Sequence, residues 1–330
     1  MTPMNIAVLL FAAADRPLTA GAREALGAAR KLADATGGQV TAAVVGHGAA
    51  GEASIQHGAD RAFTVDYAVG RESDPDVLLH AAQTLCRQTG AQFILVPGDR
   101  IGWEIAPVLA NRLGAGLVTD CIDLEVADGR VVLTKPVYGG KARARFAIGT
   151  DVKMALLRVG AFEAAQADAA RTGDVTAVEL PPCPEAGRVR FVEFIAEAGG
   201  KGVPLEEARV VVAGGRGLGG PEPFAELEQL ASLLGGAVGA SLAAVDAGWI
   251  SPAHQIGQTG KSVAPDLYVA VGISGASQHV AGITGARTIV AINKDVEAPI
   301  FNVAHIGVVG DFREVLPAFR QELEKLLAAR

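Results

Sequence analysis

Three glycine-rich segments in the second half of the chain carry residue types that bind phosphates and planar ligands. They are 214–220 (GGRGLGG), 255–261 (QIGQTGK) and 271–279 (VGISGASQH). Glycine lets the backbone approach a phosphate closely, and the N-terminus of a following helix supplies N–H donors. Ser274 and Ser277 add hydroxyls that can cap a helix or donate to phosphate oxygens. We therefore expect a phosphate-containing ligand in this half of the chain.

The first of these segments has the spacing of a dinucleotide-binding turn. Gly215, Gly217 and Gly220 match GxGxxG, but that pattern also needs an acidic residue about 20 positions on, at the end of the next strand. The next predicted strand ends near Ser241 without one. A nicotinamide-dependent oxidoreductase therefore stays an alternative, although no paired acid and base accompanies it. Lys261 lacks the spacing of a P-loop lysine.

Polar residues follow the predicted strands of this half where each strand ends. Strands are predicted at 209–213, 237–240, 267–271, 288–292 and 306–309. In open α/β sheets, ligands bind at the carboxyl ends of the strands. The residues that fall on this edge are Arg216, Ser241, Ser274, Asn293 and Asp311. Their convergence predicts a large ligand with phosphate and ribose groups.

The elements that position these residues follow from hydrophobic periodicity. In the first half, helices are predicted at 19–36, 76–89 and 103–113, and strands at 5–11, 39–45, 61–65, 93–96, 121–126, 130–138, 143–148, 152–159, 175–180 and 188–197. Short turns join the strands from 121 to 148, which is typical of antiparallel hairpins. Asp74 or Ser73 is expected to cap the second helix, and Gly37 to end the first.

These patterns predict an α/β protein of two domains. We expect an N-terminal α/β domain (1–198) with a parallel sheet plus antiparallel hairpins, and a glycine-rich linker (199–204). A C-terminal doubly wound domain (205–330) with a parallel sheet should hold the ligand. A length of 330 residues agrees with two hydrophobic cores.

Composition excludes several classes of protein. The net charge of −7 argues against a nucleic-acid partner. Cys86, Cys121 and Cys183 are far apart and form no metal motif, so we expect buried thiols in a reducing compartment. We expect no membrane span, and the apolar run at 6–14 is better explained as a first strand than as a signal. The expected location is the bacterial cytoplasm, or the mitochondrial matrix only if a transit peptide has been removed.

Long stretches of the chain resemble the electron-transfer flavoprotein α (large) subunits. Residues 265–311 match the signature of that family nearly throughout, in the run PDLYVAVGISGASQHVAGITGARTIVAINKDVEAPIFNVAHIGVVGD. Further matching segments are GGRGL at 214–218, VGASLAAVDAG at 238–248, QIGQTGK at 255–261, EIAPVLANRLGAGLVTDC at 104–121 and KPVYGGKARA at 135–144. The resemblance covers essentially the whole chain.

The resemblance implies an electron carrier without substrate chemistry of its own. One FAD would lie in the second domain, and the first domain would pair with a β subunit that carries AMP in the common type. The sequence leaves open whether β instead binds a second FAD. Electrons would arrive from acyl-CoA dehydrogenases of fatty acid β-oxidation, or from another dedicated flavoprotein dehydrogenase. They would leave to a membrane quinone oxidoreductase.

Carried over by position, the resemblance also implies the FAD contacts. They would be Arg216, Ser241, Ile256, Gly257, Gln258, Thr259, Ser274, Gly275, Ala276, Ser277, Gln278, His279, Asn293, Asp311 and Phe312. Thr259 would hydrogen-bond near flavin N5. His279 would lie by the N1–C2=O edge, where reduction concentrates negative charge and where a donor or positive charge stabilises it.

The chain departs from the family pattern at four positions. Leu242 stands where the family usually has an arginine beside the flavin, which removes a permanent charge and five donors. Trp103 and Val108 replace usual arginines, and His305 replaces a usual aspartate. Because of Leu242, a redox-silent nucleotide-binding module is the second alternative function.

Overall fold

The chain forms two compact units, Met1–Ile195 and Ala196–Arg330. The structure is a computed structural model that describes residues 3–12, 18–46, 48–66, 74–184, 186, 188–189, 192 and 203–328. Most of the predicted linker at 199–204 lies outside these residues, so the domain boundary at 198 stays a prediction. Most of the strand predicted at 188–197 also lies outside them.

In the described part of the first unit, seven strands form a sheet in the order β10-β3-β2-β1-β4-β9-β5, and every neighbouring pair is parallel. The strands are β1 Ile6–Ala12, β2 Val40–Gly46, β3 Arg61–Val65, β4 Phe93–Pro97, β5 Gly116–Cys121, β6 Asp123–Ala127, β7 Arg130–Val137, β8 Ala142–Phe146, β9 Lys153–Leu157 and β10 Asp174–Ala177. Strands β6, β7 and β8 form a separate antiparallel sheet, which confirms the predicted hairpins.

Helices cover both faces of the parallel sheet. They are α1 Ala20–Thr36, α2 Ala49–Gln56, α3 Pro75–Thr89 and α4 Arg100–Leu113. Successive residues of a strand point to opposite faces, so Val8 packs in one core with Leu26 of α1. Leu9 packs in a second core with Leu85 of α3 and Leu109 of α4. Burial on both faces explains why β1 and β2 are continuous apolar runs.

Local capping sets the helix ends. The Thr19 hydroxyl accepts the Ala22 N–H at the start of α1, and the Asp74 carboxylate accepts from Asp76 and Val77 at the start of α3. Asp74 is therefore the cap of α3. Gly37 ends α1 in the left-handed conformation, which glycine adopts without a side-chain clash.

The strand predicted at 121–126 corresponds to β6, but its first residue, Cys121, ends β5, which belongs to the other sheet. β5 pairs in parallel with β9, whereas β6 pairs antiparallel with β7. The register of β5 shifts between Val118 and Cys121, and Asp120 adopts φ 60°. Arg158 holds the Asp120 carboxylate through two hydrogen bonds of 2.7 and 2.6 Å. Helix α2 was not predicted, since its eight residues have little apolar periodicity.

The second unit is a doubly wound sheet, as predicted. Its strands are β11 Val210–Gly214, β12 Ala237–Ala240, β13 Leu267–Val271, β14 Thr288–Asn293 and β15 Ile306–Val309, and its helices are α5 Phe224–Leu233, α6 Leu242–Asp246, α7 Ser277–Ala281 and α8 Phe312–Ala328. The strands are all parallel, in the order β12-β11-β13-β14-β15. The chain first adds β12 on one side of β11 and then β13 on the other. This reversal creates a switch point between β11 and β13, where such folds bind ligands.

Cys86 and Cys121 are buried thiols, as expected, whereas Cys183 is half-buried. Burial raises the pKa of the Cys86 and Cys121 thiols to about 12. Within the described residues, no helix is both long enough and apolar enough to cross a membrane.

Candidate functional site

A cavity of about 670 Å³ opens at the carboxyl edge of the second sheet, beside the switch point. Of the fifteen predicted contacts, eleven line it: Arg216, Ser241, Ile256, Gly257, Gln258, Thr259, Ser274, Ala276, Gln278, His279 and Asn293. Residues that are distant in the sequence thus meet around one space, because the carboxyl ends of parallel strands lie on the same edge of a sheet.

The other four predicted residues lie elsewhere. Asp311 and Phe312 line an adjoining pocket of about 30 Å³, which also contains Asn293. Gly275 adopts φ +84°, and a Cβ there would lie 2.2 Å from the Ile300 nitrogen, so its glycine is required by packing. Ser277 is the exposed first residue of α7.

Several lining residues were not predicted as contacts. They are Gly217, Leu242, Ala243, Asp246, Gln255, Gly272, Ile273, Lys294, Asp295, Ala298 and Pro299. Lys294 and Asp295 directly follow β14, so the rule that found Asn293 would have found them if it were extended by two residues. Asp246 lies one helical turn after Leu242.

The floor of the cavity consists of backbone in close contact with backbone. The Gly217 N–H donates to the Gly272 carbonyl at 2.9 Å, and the Gly215 N–H donates to the Val271 carbonyl at 2.9 Å. Gly272 adopts φ +62°, and a Cβ on it would lie 2.9 Å from the Gly217 carbonyl carbon. A larger residue at Gly217 or at Gly272 would push the two backbone segments apart. These glycines leave space above the strand ends.

One wall of the cavity is the loop from Gln255 to Lys261. The Ile256 N–H donates to the Ala240 carbonyl at 2.9 Å, and the Gln258 N–H donates to the Gln278 carbonyl at 2.8 Å. The loop is therefore fixed to both β12 and α7. Lys261 forms an ion pair of 3.1 Å with Glu206. It is not among the described residues that line the cavity.

His279 is buried in the wall next to this loop, with 6% of its surface exposed. Its Nδ1 lies 3.0 Å from the Ile256 carbonyl oxygen and its Nε2 lies 2.9 Å from the Tyr268 hydroxyl. Burial lowers the pKa of His279 to about 4, although the bond to Ile256 opposes this shift. The ring is therefore neutral at pH 7. The resemblance implies a donor or a positive charge at this position, and desolvation excludes the positive charge because it disfavours the imidazolium.

The charged side chains of the cavity balance each other. Arg216 and Lys294 contribute cations, and Asp246 and Asp295 contribute anions. The Ser241 hydroxyl lies at the N-cap of α6 but makes no capping hydrogen bond, so it is available to a ligand. Cations, hydroxyls and amides around one space are the groups that bind phosphates, ribose and a heterocycle.

The fold and the cavity define a nucleotide-binding protein of the doubly wound α/β class. Residues 8–182 match the model of the electron transfer flavoprotein domain, and residues 204–284 match that of the electron transfer flavoprotein FAD-binding domain. The chain belongs to the electron transfer flavoprotein α-subunit family, and its second unit is an FAD-binding domain. The second match covers the glycine floor, the loop and α7, but ends before Asn293.

The chain is similar to curated relatives along most of their length. The electron transfer flavoprotein subunit alpha of Thermoanaerobacterium thermosaccharolyticum is 41% identical over 92% of this chain and 93% of its own. That of Megasphaera elsdenii is 40% identical over 92% and 91%. Protein FixB of Clostridium saccharobutylicum is 39% identical over 93% and 92%.

These matches disfavour the nicotinamide-dependent oxidoreductase. In the structure, the turn at Arg216–Leu218 is followed by α5 only at Phe224. Gly220 is not among the residues that line the cavity. The end of β12 carries Ser241 where the nicotinamide pattern requires a carboxylate.

Proposed function

We propose that this chain holds one FAD in the cavity of its second unit and passes electrons singly between other redox proteins. The observation that carries the proposal is the convergence of polar residues from four strand ends onto one cavity, three of them within the matched FAD-binding domain and the fourth, Asn293, just beyond it. Its volume of about 670 Å³ falls in the range of about 300–1,000 Å³ that is usual for ligand pockets.

The residues present fit FAD. Arg216 and Lys294 suit phosphate oxygens, and the free hydroxyl of Ser241 adds a donor. The glycine floor at Gly217 and Gly272 admits a close approach of the ligand to the backbone. The proposed contacts are Arg216, Ser241, Ile256, Gly257, Gln258, Thr259, Ser274, Ala276, Gln278, His279 and Asn293, with Asp311 and Phe312 in the adjoining pocket. Bound FAD supplies the redox chemistry.

The protein's own part is to position the ligand and to exclude water from it. Gln258 and Thr259 project from a loop that is held at both ends, and the Thr259 hydroxyl accepts a hydrogen bond from Gln255 at 3.0 Å. Thr259 therefore sits ready to donate its own proton to a ring atom. His279 contributes a neutral wall. We propose no substrate chemistry at this site, so the chain acts as a carrier.

We further propose that the chain works as a heterodimer with a β subunit that binds AMP. The first unit matches the family domain over residues 8–182, and Trp103 and Val108 of α4 have 47% and 46% of their surface exposed. A specific interface should bury more than about 1,000 Å² in total. Flavoprotein dehydrogenases would supply the electrons, and a membrane quinone oxidoreductase would accept them. The proposed location is the cytoplasm.

The test is to co-express the chain with its β subunit, purify the complex, and record its visible spectrum and flavin content. We expect a yellow heterodimer with one FAD in the second unit and one-electron transfer to an artificial acceptor. A complex that stays colourless after incubation with FAD would favour the redox-silent module that Leu242 suggests. A flavin-loaded monomer that transfers electrons alone would exclude the obligate heterodimer.

A further inference from the structure

Tyr268 lies at the centre of the second sheet, and its hydroxyl points to the cavity wall. It belongs to β13 and is fully buried, with 0% of its surface exposed. Its hydroxyl contacts Nε2 of His279 at 2.9 Å. A buried hydroxyl needs a partner because it has lost its hydrogen bonds to water. Since burial also raises the pKa of Tyr268, the phenol keeps its proton.

The protons between these groups can be assigned by chemistry. The Ile256 carbonyl oxygen can only accept, so Nδ1 of His279, 3.0 Å away, carries a proton. A neutral imidazole then has a bare Nε2, which accepts the proton of the Tyr268 hydroxyl. Burial and the bond to Ile256 shift the pKa of the ring in opposite directions, and burial has the larger effect.

The ring joins the two elements that form this wall. His279 lies on α7, and its Nδ1–H is bound to the loop at Ile256. The Gln258 N–H donates back to the Gln278 carbonyl at 2.8 Å. A Cβ on Gly282 would lie 2.6 Å from the Gly257 nitrogen, so the helix and the loop are in direct contact. If the ring turned or changed tautomer, the Ile256 carbonyl would lose its donor.

We propose that Tyr268 is a positioning residue for the FAD site that acts through His279. Its hydroxyl holds the imidazole in the neutral Nδ1–H tautomer, and the imidazole holds the loop with Gln258 and Thr259 against α7. His279 accordingly presents neither a positive charge nor an N–H to the ligand. The effect on FAD rests on the proposed function, whereas the tautomer does not.

The first test measures the tautomer directly in the complex with the β subunit, with and without FAD. Two-bond ¹H–¹⁵N correlations distinguish a protonated from a bare ring nitrogen, and His279→Gln assigns the signal among the six histidines. We expect Nδ1 protonated and Nε2 bare throughout the range from about pH 5.5 to 8, well above the pKa of about 4. A protonated Nε2, or a ring that titrates near pH 7, would overturn the proposal.

The second test removes the hydroxyl alone. Tyr268→Phe should give mixed His279 tautomers and raise the FAD dissociation constant about tenfold, while circular dichroism stays unchanged. Ser54→Ala is the control, because it also deletes a fully buried hydroxyl, in α2 of the first unit. It should leave the dissociation constant unchanged.

The double variant separates positioning from direct contact. In the His279→Gln background, Tyr268→Phe should have no further effect on FAD binding, because the residue through which Tyr268 acts is gone. An equal effect in both backgrounds would show that Tyr268 acts independently and would refute the proposal. If no variant and no wild-type complex binds FAD, the proposed function fails, whereas the tautomer measurement still decides the assignment.

Discussion

The two units contain the same kind of sheet but use its carboxyl edge differently. In the first unit, β4 ends at buried Pro97 and β9 at buried Leu157. The Gly98 N–H donates to the Leu157 carbonyl at 2.7 Å, so these two ends are closed against each other. In the second unit, the residues that follow β12 and complete β14 are Ser241 and Asn293, and both line the cavity.

The architecture is shared, and polar residues follow the strands in both units. In the first unit Arg158, which follows β9, pairs with Asp120, whereas Ser241 and Asn293 of the second unit line the cavity. Both sheets are parallel and have a hydrophobic core on each face. The Ser241 hydroxyl makes no capping hydrogen bond, whereas the Asn293 side chain donates to the Ile273 carbonyl at 2.9 Å and accepts from the Asp295 N–H at 3.0 Å. The fold positions a site, and the side chains at its edge decide whether ligand chemistry takes place there.

The largest effect should come from closing the glycine floor of the second unit. Gly272→Ala places a Cβ 2.9 Å from the Gly217 carbonyl carbon at φ +62°, so the two loops must separate. We expect FAD affinity to fall at least about 100-fold, measured by flavin fluorescence titration of the complex. Backbone strain should also reduce the free energy of unfolding by about 1–3 kcal/mol.

Gly235→Ala is the matched control for that change. Gly235 has nearly the same φ of +65°, but a Cβ there would meet nothing within 4 Å. It should lower stability by about 1 kcal/mol and leave FAD binding unchanged. Equal loss of FAD affinity in both variants would show that strain alone, and not the floor of the cavity, controls binding.

A cation at the cavity should contribute more to FAD affinity than a cation at the opposite end of the same sheet. Arg216→Ala removes a lining guanidinium, and a charge-assisted contact of about 1.5–3 kcal/mol corresponds to a 10- to 100-fold weaker FAD complex. Arg209→Ala removes the same charge before β11, where the guanidinium pairs with Asp266 at 2.6 Å. Titration of both variants with FAD should give a normal affinity for Arg209→Ala. Similar losses in the two would mean that long-range charge, rather than contact, attracts the ligand.

In the first unit, the protonation state of one buried carboxyl group, that of Glu24 in α1, should change the free energy of unfolding. Burial raises the pKa of Glu24 from 4.5 to about 6, against the N–H groups of Gly160 and Phe162 that favour the carboxylate. The folded state therefore prefers the protonated acid, and this contribution is lost as the pH rises through 6. Wild type should lose about 2 kcal/mol relative to Glu24→Gln between about pH 4 and 7.

Denaturant unfolding of the full chain at several pH values checks this prediction. Trp103 in the first unit and Trp249 in the second, the only two tryptophans, report on the two units separately. The pH-dependent difference should appear in the Trp103 signal. Glu52→Gln, at an exposed position of α2, should change stability by less than about 0.5 kcal/mol at every pH. A flat difference for Glu24→Gln would refute the raised pKa.

The smallest effect should come from restoring a charge at Leu242, which is 45% exposed in the cavity. Leu242→Arg should stabilise the negative charge that reduction adds to bound FAD. Because solvent screens an exposed charge and Asp246 lies four residues on, we expect about 1 kcal/mol, or roughly 40 mV in the first reduction potential. Redox titration measures it.

Val296→Arg adds the same charge to an exposed position of the second unit that is 63% exposed and outside the cavity lining. It should leave the potential unchanged. Adding Asp246→Asn to Leu242→Arg should raise the potential further, because the arginine then has no carboxylate one turn away. If Leu242→Arg moves neither half-couple, electrostatics at this position do not tune the flavin.

Much of this molecule is predictable from local sequence. Strands β12 and β13 lie at the predicted bounds, and β14 differs by one residue, since buried parallel strands are short apolar runs ended by glycine or polar residues. The exposed edge strand β15 also lies at its predicted bounds. The strand-end rule likewise brought Arg216, Ser241, Ser274 and Asn293 to one cavity. The prediction of strand bounds fails between β5 and β6, where one residue separates strands of two different sheets.

The sequence by itself determined the two α/β units, the polar edge and, through long matching segments, the family. Tertiary structure alone decided the protonation of His279, the ion pair of Lys261 with Glu206, and the packing role of Gly275. Residue type and spacing report which groups a chain can offer. Whether a nitrogen faces a ligand, a carbonyl or a phenol depends on burial and on partners 11 and 23 residues away, which only the folded chain brings within hydrogen-bonding distance.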